Sequence, residues 1–275
     1  MTIKVDIIAD SISEAGKRIT TFQLSYPLMI HAELMTHRVF SRNAASNRAI
    51  PVTRLINRTI EDPAIPMVWG SNKPGMSAGA ELGLYKQFLL KGLWLGGLYS
   101  SAFFAYLSSK LGLHKQHANR MMMPYQHIDV IVTSTEWENF YNLRLDEAAQ
   151  PEIQELAKKM LQASERSIPK VLKEGEWHLP YVASVSPSMR DVSAARCARV
   201  SYLNHNNQRP SEEADIKLSS MLLSSRHMSP FEHQASPMEN VEGQSNNFKG
   251  WFQYREEIEY PFFKTIREPE DTENK

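Results

Sequence analysis

The run THRVFSRNAASNRAIP at 36–51 sets His37, Arg38, Arg42 and Arg48 among hydroxyls and amides and ends on a proline. Arginine offers a planar fork that pairs with phosphate through two charge-assisted hydrogen bonds. Ser41, Asn43 and Ser46 can complete an oxygen shell, and Ala44, Ala45 and Ala49 let a ligand approach the backbone. A solvated basic loop fits the same composition. In NFYNLRLD, Arg144 is expected off the core face of Phe140 and Leu143, free for a ligand or paired with Asp146 or a neighbouring helix. In HMSPFEHQ, Pro230 and Phe231 form a turn ringed by His227, Ser229, Glu232 and His233, which taken alone reads as a structural turn with surface histidines. Cys197, between Arg196 and Arg199, could be an activated thiolate, but the preferred reading is an inert core cysteine in a helix.

Several chemistries lose ground. No glycine-rich phosphate loop, dinucleotide fingerprint, HExxH or EF-hand pattern is present. The histidines lack ligand-like pairing with acids or cysteines, so no metal site is expected. Lys plus Arg and Asp plus Glu are both 31, which cancels the global field that would favour nucleic acid or a membrane surface. One cysteine and an N-terminus without an apolar signal core point to a reducing cytoplasm. The uncharged run at 92–109 just reaches spanning length. Its serines and glycines, and the helical recurrence of Leu90, Trp94, Leu98, Ala102 and Tyr106, point instead to a helix packed in a core or against another subunit.

The elements that must hold these residues follow from periodicity. Short β-branched runs at 2–9, 18–25 and 127–135 read as strands. An apolar face on Leu28, Ile30, Leu34 and Met35 reads as a helix, with the basic motif at its end. Pro51, Pro63, Pro66 and the WGSNKPG run at 69–75 mark a long surface excursion. Helices are expected over 78–123, 136–145, 151–168, SAARCARVSY and about 211–226, with a proline-rich connection at 169–191. The charged 266–275 tail lacks the apolar content to order itself. The fold class is α+β, a single mixed domain over 1–265 with a central antiparallel sheet and long helices.

With these pieces in place, the chain resembles the flavin-dependent thymidylate synthases. Thr36-His37-Arg38, seven residues, Ser46 and Arg48 match that family's Arg-His-Arg motif with its downstream Ser and Arg. Ala198-Arg199-Val200-Ser201-Tyr202, the segment from His227 to His233, and Asn139 to Arg144 match three more, with Arg120 similar to an upstream substrate-binding arginine. The order differs: ARVSY and SPFEH normally precede the Arg-His-Arg motif, so the chain looks circularly permuted, with its joint in the 169–191 connection. Gly250 to Arg255 resembles the stretch leading into that motif. Thr36 replaces an arginine, Ala44 an acidic residue and Glu33 a glutamine.

The resemblance implies dUMP as substrate, methylene-tetrahydrofolate as carbon donor, FAD as cofactor and NADPH as reductant, in a homotetramer with flavin between subunits. It implies that Ser46, Asn47, Arg48, Arg120 and Glu33 bind the nucleotide and that Arg144 faces the base as the catalytic cation. Thr36, His37, Arg38, Val39, Asn43, Asn139, His227 and Ser229 would contact flavin. Two alternatives stand beside it: a flavin- and folate-dependent hydroxymethylase of dUMP or dCMP, and a non-catalytic nucleotide- or flavin-binding relative.

Overall fold

The structure is a computed structural model and describes residues 2–183, 188–201 and 208–267, with side chains to Tyr260. In chain order come β1 (Lys4–Ser13), β2 (Arg18–Pro27), α1 (His31–Leu34), β3 (Ser41–Ala44), α2 (Val52–Glu61), α3 (Leu84–Lys110), α4 (Lys115–Ala118), β4 (His127–Ser134), α5 (Glu138–Arg144) and α6 (Pro151–Arg166). Then follow β5 (Lys170–Leu172), α7 (Met189–Arg199), α8 (Glu212–Ser224), β6 (Ala235–Pro237), β7 (Gln244–Ser245), β8 (Phe248–Lys249), β9 (Trp251–Gln253) and α9 (Tyr254–Arg267). Single 3₁₀ segments cover Leu28–Ile30, Asn119–Tyr125 and Ser229–Glu232.

The sheet order is β3-β4-β2-β1-β5. Every pairing is antiparallel except β1 with β5. Because side chains alternate along each strand, the sheet has two distinct faces. Phe22, Leu24 and Tyr26, opposite Val132, Val130 and Ile128, share one core with Phe140 of α5 and Ile153, Leu156 and Met160 of α6. Thr21, Ile131 and Thr133 point the other way, where Ile131 meets Tyr181, Cys197 and Val200.

That second face carries a buried polar chain. His178 meets Ser11 Oγ through Nδ1 at 2.9 Å and Thr21 Oγ through Nε2 at 2.8 Å. Thr21 meets Thr133 at 2.7 Å, and Thr133 meets His233 Nδ1 at 2.8 Å. Burial pushes both imidazoles down to about 3, because the charged form would lose its hydration. His233 is therefore a core residue and not the surface histidine expected of the SPFEH turn, whereas His227 is exposed.

The helix expected from the apolar face on Leu28, Ile30, Leu34 and Met35 is shortened to one 3₁₀ turn and α1. Turn bonds from Met35 N–H to His31 O, Thr36 N–H to Glu33 O and His37 N–H to Leu34 O close it, and the chain then enters β3, which pairs with β4. Residues 170–172 of the expected connection form β5. Helix α9 runs through Arg267, two residues into the expected tail, and 268–275 lie outside the described residues, as does Tyr202 of the ARVSY match. Cys197 is a fully buried residue of α7 whose thiol is pushed up by burial, which fits the inert reading.

Helix α3 is 27 residues long, about 40 Å. It rests on α2 and on 119–125 through Leu98, Ala102 and Ala105 packed with Val52, Ile56, Ala118 and Met122. Trp94 Nε1 donates to Ala64 O at 2.9 Å, and Gly97 lies so close to the Tyr125 hydroxyl that a Cβ has no room. Only that stripe is covered: Leu84, Tyr85, Phe88, Leu93, Phe103 and Phe104 are all more than half exposed. Ala105, not Tyr106, closes the buried stripe. This helix is long and apolar enough to cross a membrane by length and composition.

Candidate active site

Helix α5 is anchored by Phe140, which packs among Phe40, Trp137 and Tyr141 with ring centroids 5.4–6.4 Å apart. One helical turn on, Arg144 stands over the same side, since residues four apart stack along a helix. The expectation that Arg144 avoids the face of Phe140 is thus corrected, and Leu143 is the exposed residue. Arg144 reaches the turn after α1. Its Nη1 donates to Glu33 Oε2 and its Nε to His37 Nε2, both at 3.0 Å. Its Nη2 donates to Glu33 O at 3.3 Å and Thr36 Oγ at 3.2 Å.

To accept from Arg144, His37 must be neutral. Burial, then Arg144 and Arg42, lower its pKa. The ring is wedged between Phe40, stacked at 5.5 Å, and the edge of Phe140 at 5.0 Å. Arg42 donates to the carbonyls of Met35 and His37 at 2.9 and 3.0 Å and so holds the turn. Arg144 and Glu33 also border a cavity of 770 Å³.

A second cluster forms at the loop after β3. The buried Asn119 side chain donates to Asn47 O at 2.7 Å and Ile50 O at 2.9 Å, and Asn47 bonds Gln126. Lys115 Nζ donates to Ala49 O at 3.1 Å. Ser46 Oγ accepts from Arg48 N–H at 3.4 Å. The Arg48 side chain and Arg120, next in chain to Asn119, are exposed and carry no acid partner among the described residues. The loop that carries Arg48 is thus fixed through its own backbone by Lys115 and Asn119, with Arg120 following Asn119 in the chain.

The third cluster lies on the other sheet face. With its amide nitrogen turned toward Ser229, Asn43 donates to Ser229 Oγ at 3.1 Å and Ser229 O at 3.2 Å, an orientation set by the hydrogen-bond network. The fully buried Gln253 donates to Ser41 Oγ at 3.2 Å, Glu232 O at 3.0 Å and Asn247 Oδ1 at 2.9 Å, and Arg255 pairs with Glu232. The SPFEH and GWFQYR segments thus meet the THR segment despite about 190 intervening residues. Arg38, Val39, Asn139 and His227 are exposed.

The fold therefore brings Glu33, Thr36, His37 and Arg144 together, sets Arg120 beside the Asn119 that holds the Ser46–Arg48 loop, and joins Asn43 with Ser229. It does not merge the three groups into one enclosed pocket. Asn119, Lys115 and Gln253 were not singled out from sequence, although Asn119 adjoins Arg120 and Gln253 lies inside a segment already noted. Among the described residues no group of His, Cys, Asp and Glu could hold a metal.

Comparison with known proteins adds a family. No curated protein matches the chain. Two solved structures of the UMP/dUMP methylase PolB from Streptomyces cacaoi are similar to it at 15% identity over 60% of this chain. The form bound with 5-Br UMP is matched over 89% of its length with a TM-score of 0.48, and the form bound with 5-Br dUMP over 90% with 0.46. The family model for thymidylate synthase complementing protein, Thy1, matches residues 18–170, a span that holds the Arg144 cluster and the 46–48 loop with Arg120. Over more than half its length, then, the chain carries that family's pattern, and it belongs to the thymidylate synthase complementing protein family.

Proposed function

We propose that this family member is a flavin-dependent thymidylate synthase that converts dUMP to dTMP, with methylene-tetrahydrofolate as carbon donor and NADPH as reductant. The observation that carries the reading is the Arg144 guanidinium, aimed by Glu33 and a neutral His37 at the wall of a cavity. There a fixed cation favours loss of the uracil N3 proton and takes up the negative charge spread into the ring. No protein nucleophile is then needed, in keeping with the buried Cys197. Ser46, Asn47, Arg48 and Arg120 bind phosphate and sugar, and Glu33 meets the base edge.

The residues fit FAD. Asn43 and Ser229 supply paired polar groups, and the exposed Arg38, Val39, Asn139 and His227 present a cation, an apolar surface and hydrogen-bonding side chains. FAD, once reduced, supplies the hydride. His37 and Thr36 already bond Arg144 and would meet the flavin from that side. The separation of the clusters supports completion by a second subunit, as in a homotetramer, and the chain order supports a circular permutation.

A second reading, hydroxymethylation, is favoured by Thr36. Its hydroxyl donates to Glu33 O at 2.7 Å and accepts from Arg144, so no cation stands at the position the family gives to arginine. Incubation with dUMP, methylene-tetrahydrofolate, FAD and NADPH tests both. Mass spectrometry should give dTMP; a product heavier by one oxygen selects hydroxymethylation, and no product with no flavin absorbance overturns both.

A further inference from the structure

Strand β3 sends successive side chains to opposite faces of the sheet. Ser41 and Asn43 turn toward Gln253 and Ser229, so Arg42 between them, opposite Val132, lies on the face of the aromatic core. There its Nη1 donates to Met35 O at 2.9 Å and to His37 O at 3.0 Å. A single nitrogen thus clamps the chain on both sides of Thr36. The clamped turn carries the two side chains, Thr36 and His37, that accept from Nη2 and Nε of Arg144.

A fastener alone needs no charge, since an uncharged N–H donor also satisfies a carbonyl. Yet Arg42 is a partly buried cation without an ion pair among the described residues. Burial opposes its charge, while the nearby Glu232 and Tyr26 favour it, and the Tyr26 hydroxyl is itself held at 2.8 Å from His31 Nδ1. Such a cation is costly to keep, and what it adds is a field at His37. Arg42 bonds the His37 carbonyl and Arg144 its ring, while the rings of Phe40 and Phe140 wall off the rest. Glu33, the acid of this cluster, is engaged by Arg144 Nη1. Burial first, then the two arginines, oppose protonation of the imidazole. The proton of the neutral ring belongs on Nδ1, an assignment set by the Arg144 bond to Nε2.

We propose that Arg42 is a positioning residue for Arg144, clamping the 35–37 turn so that Thr36 and His37 present their acceptors to that guanidinium. Its charge guards the same bond. Once His37 takes up a proton, Nε2 becomes a donor facing a cation, and Arg144 loses its alignment. The effect on turnover rests on the reaction proposed above; the clamp and the state of His37 do not.

The test uses the full-length, flavin-loaded protein. Arg42→Met removes donors and charge, Arg42→Gln keeps a donor without charge, and Arg42→Lys keeps both. Long-range proton–nitrogen spectra follow the His37 ring against pH, and steady-state kinetics follow dTMP formation from dUMP. Wild-type His37 should be neutral at pH 7 with its proton on Nδ1. In Arg42→Met and Arg42→Gln the midpoint of its titration should rise, because one opposing charge is gone. In Arg42→Met kcat should fall about tenfold with KM for dUMP within about twofold of wild type, as expected of a misaligned catalytic group. The acid limb of the kcat profile should move to higher pH together with the His37 midpoint, and Arg42→Lys should return both toward wild type. If Arg42→Met does not fold by circular dichroism, Arg42→Gln carries the comparison. An unshifted His37 titration in a folded neutral variant overturns the proposal even where kcat falls, because loosened packing alone explains that loss. Wild-type kcat beside a shifted His37 overturns it equally. A shifted titration in a protein that makes no dTMP overturns the assigned reaction and leaves the clamp standing.

Discussion

At the scale of single residues, the site is organised by what each cation already touches. Arg144 is oriented by Glu33, Thr36 and His37, which spares the reorganisation a free side chain would need. Arg144→Ala should lower product formation by about 100-fold or more, the loss typical of a removed electrostatic stabiliser, with circular dichroism and elution volume unchanged. Arg144→Lys should not restore it, because a point charge cannot satisfy Glu33 and His37 through a fixed fork. Retained turnover in either variant refutes the role. Arg48 and Arg120 differ in having no acid partner among the described residues, so their charge is available to a phosphate. Replacing either with alanine should weaken dUMP about 10- to 100-fold, from roughly 1.5–3 kcal/mol per charged hydrogen bond. Deoxyuridine, which lacks the phosphate, serves as the control: equal loss for both ligands would show that these arginines do not grip it.

At the scale of elements, α3 sets the next question. Its buried stripe was legible from the spacing of Trp94, Leu98 and Ala102, but the same sequence is apolar around most of the helix, and periodicity could not show which side would stay open. The structure leaves Leu84, Phe88, Leu93, Phe103 and Phe104 outward, each able to contribute about 1.5–3 kcal/mol if buried. A second copy of the chain is the partner proposed for this face. Leu93→Glu with Phe104→Glu, about three turns apart on the open side, should convert the assembly to monomers by light scattering without loss of helicity. A monomeric wild type would remove the basis for this interface. The hairpin at 69–82 and strand β3 were less legible. Turn residues announced an excursion, and four residues of β3 are too few for a period-2 signal, so both became visible only through their partners.

At the scale of the molecule, the His178–Thr21–Thr133–His233 chain ties the 178 segment, two central strands and the SPFEH turn together. The unfolded histidines take up protons as pH falls through about 6.5, whereas the folded ones resist until about 3. Unfolded chains then bind more protons, so stability is intact above about 6.5 and falls as pH drops between the two values, by up to roughly 1.4 kcal/mol per pH unit for each histidine. Urea midpoints at pH 7 and pH 5 measure this. His233→Gln should flatten the slope by one proton, and an unchanged slope would mean that His233 is hydrated in the native state.

The chain's local patterns determined much by themselves. The alternation in β1, β2 and β4, the Pro151 start of α6, and the His37–Arg38–Ser46–Arg48 spacing all depend on neighbours a few residues away, and such short-range regularities are written directly in sequence. Tertiary structure decided which distant groups meet. Only the folded chain sets Asn43 against Ser229 and Gln253 against Ser41, buries His233 while exposing His227, turns Arg144 toward Glu33, and sets residues 76–79 along the cavity that both border. Those outcomes depend on how two faces of one sheet are covered, a balance of burial and hydrogen-bond satisfaction over the whole molecule that no local spacing encodes.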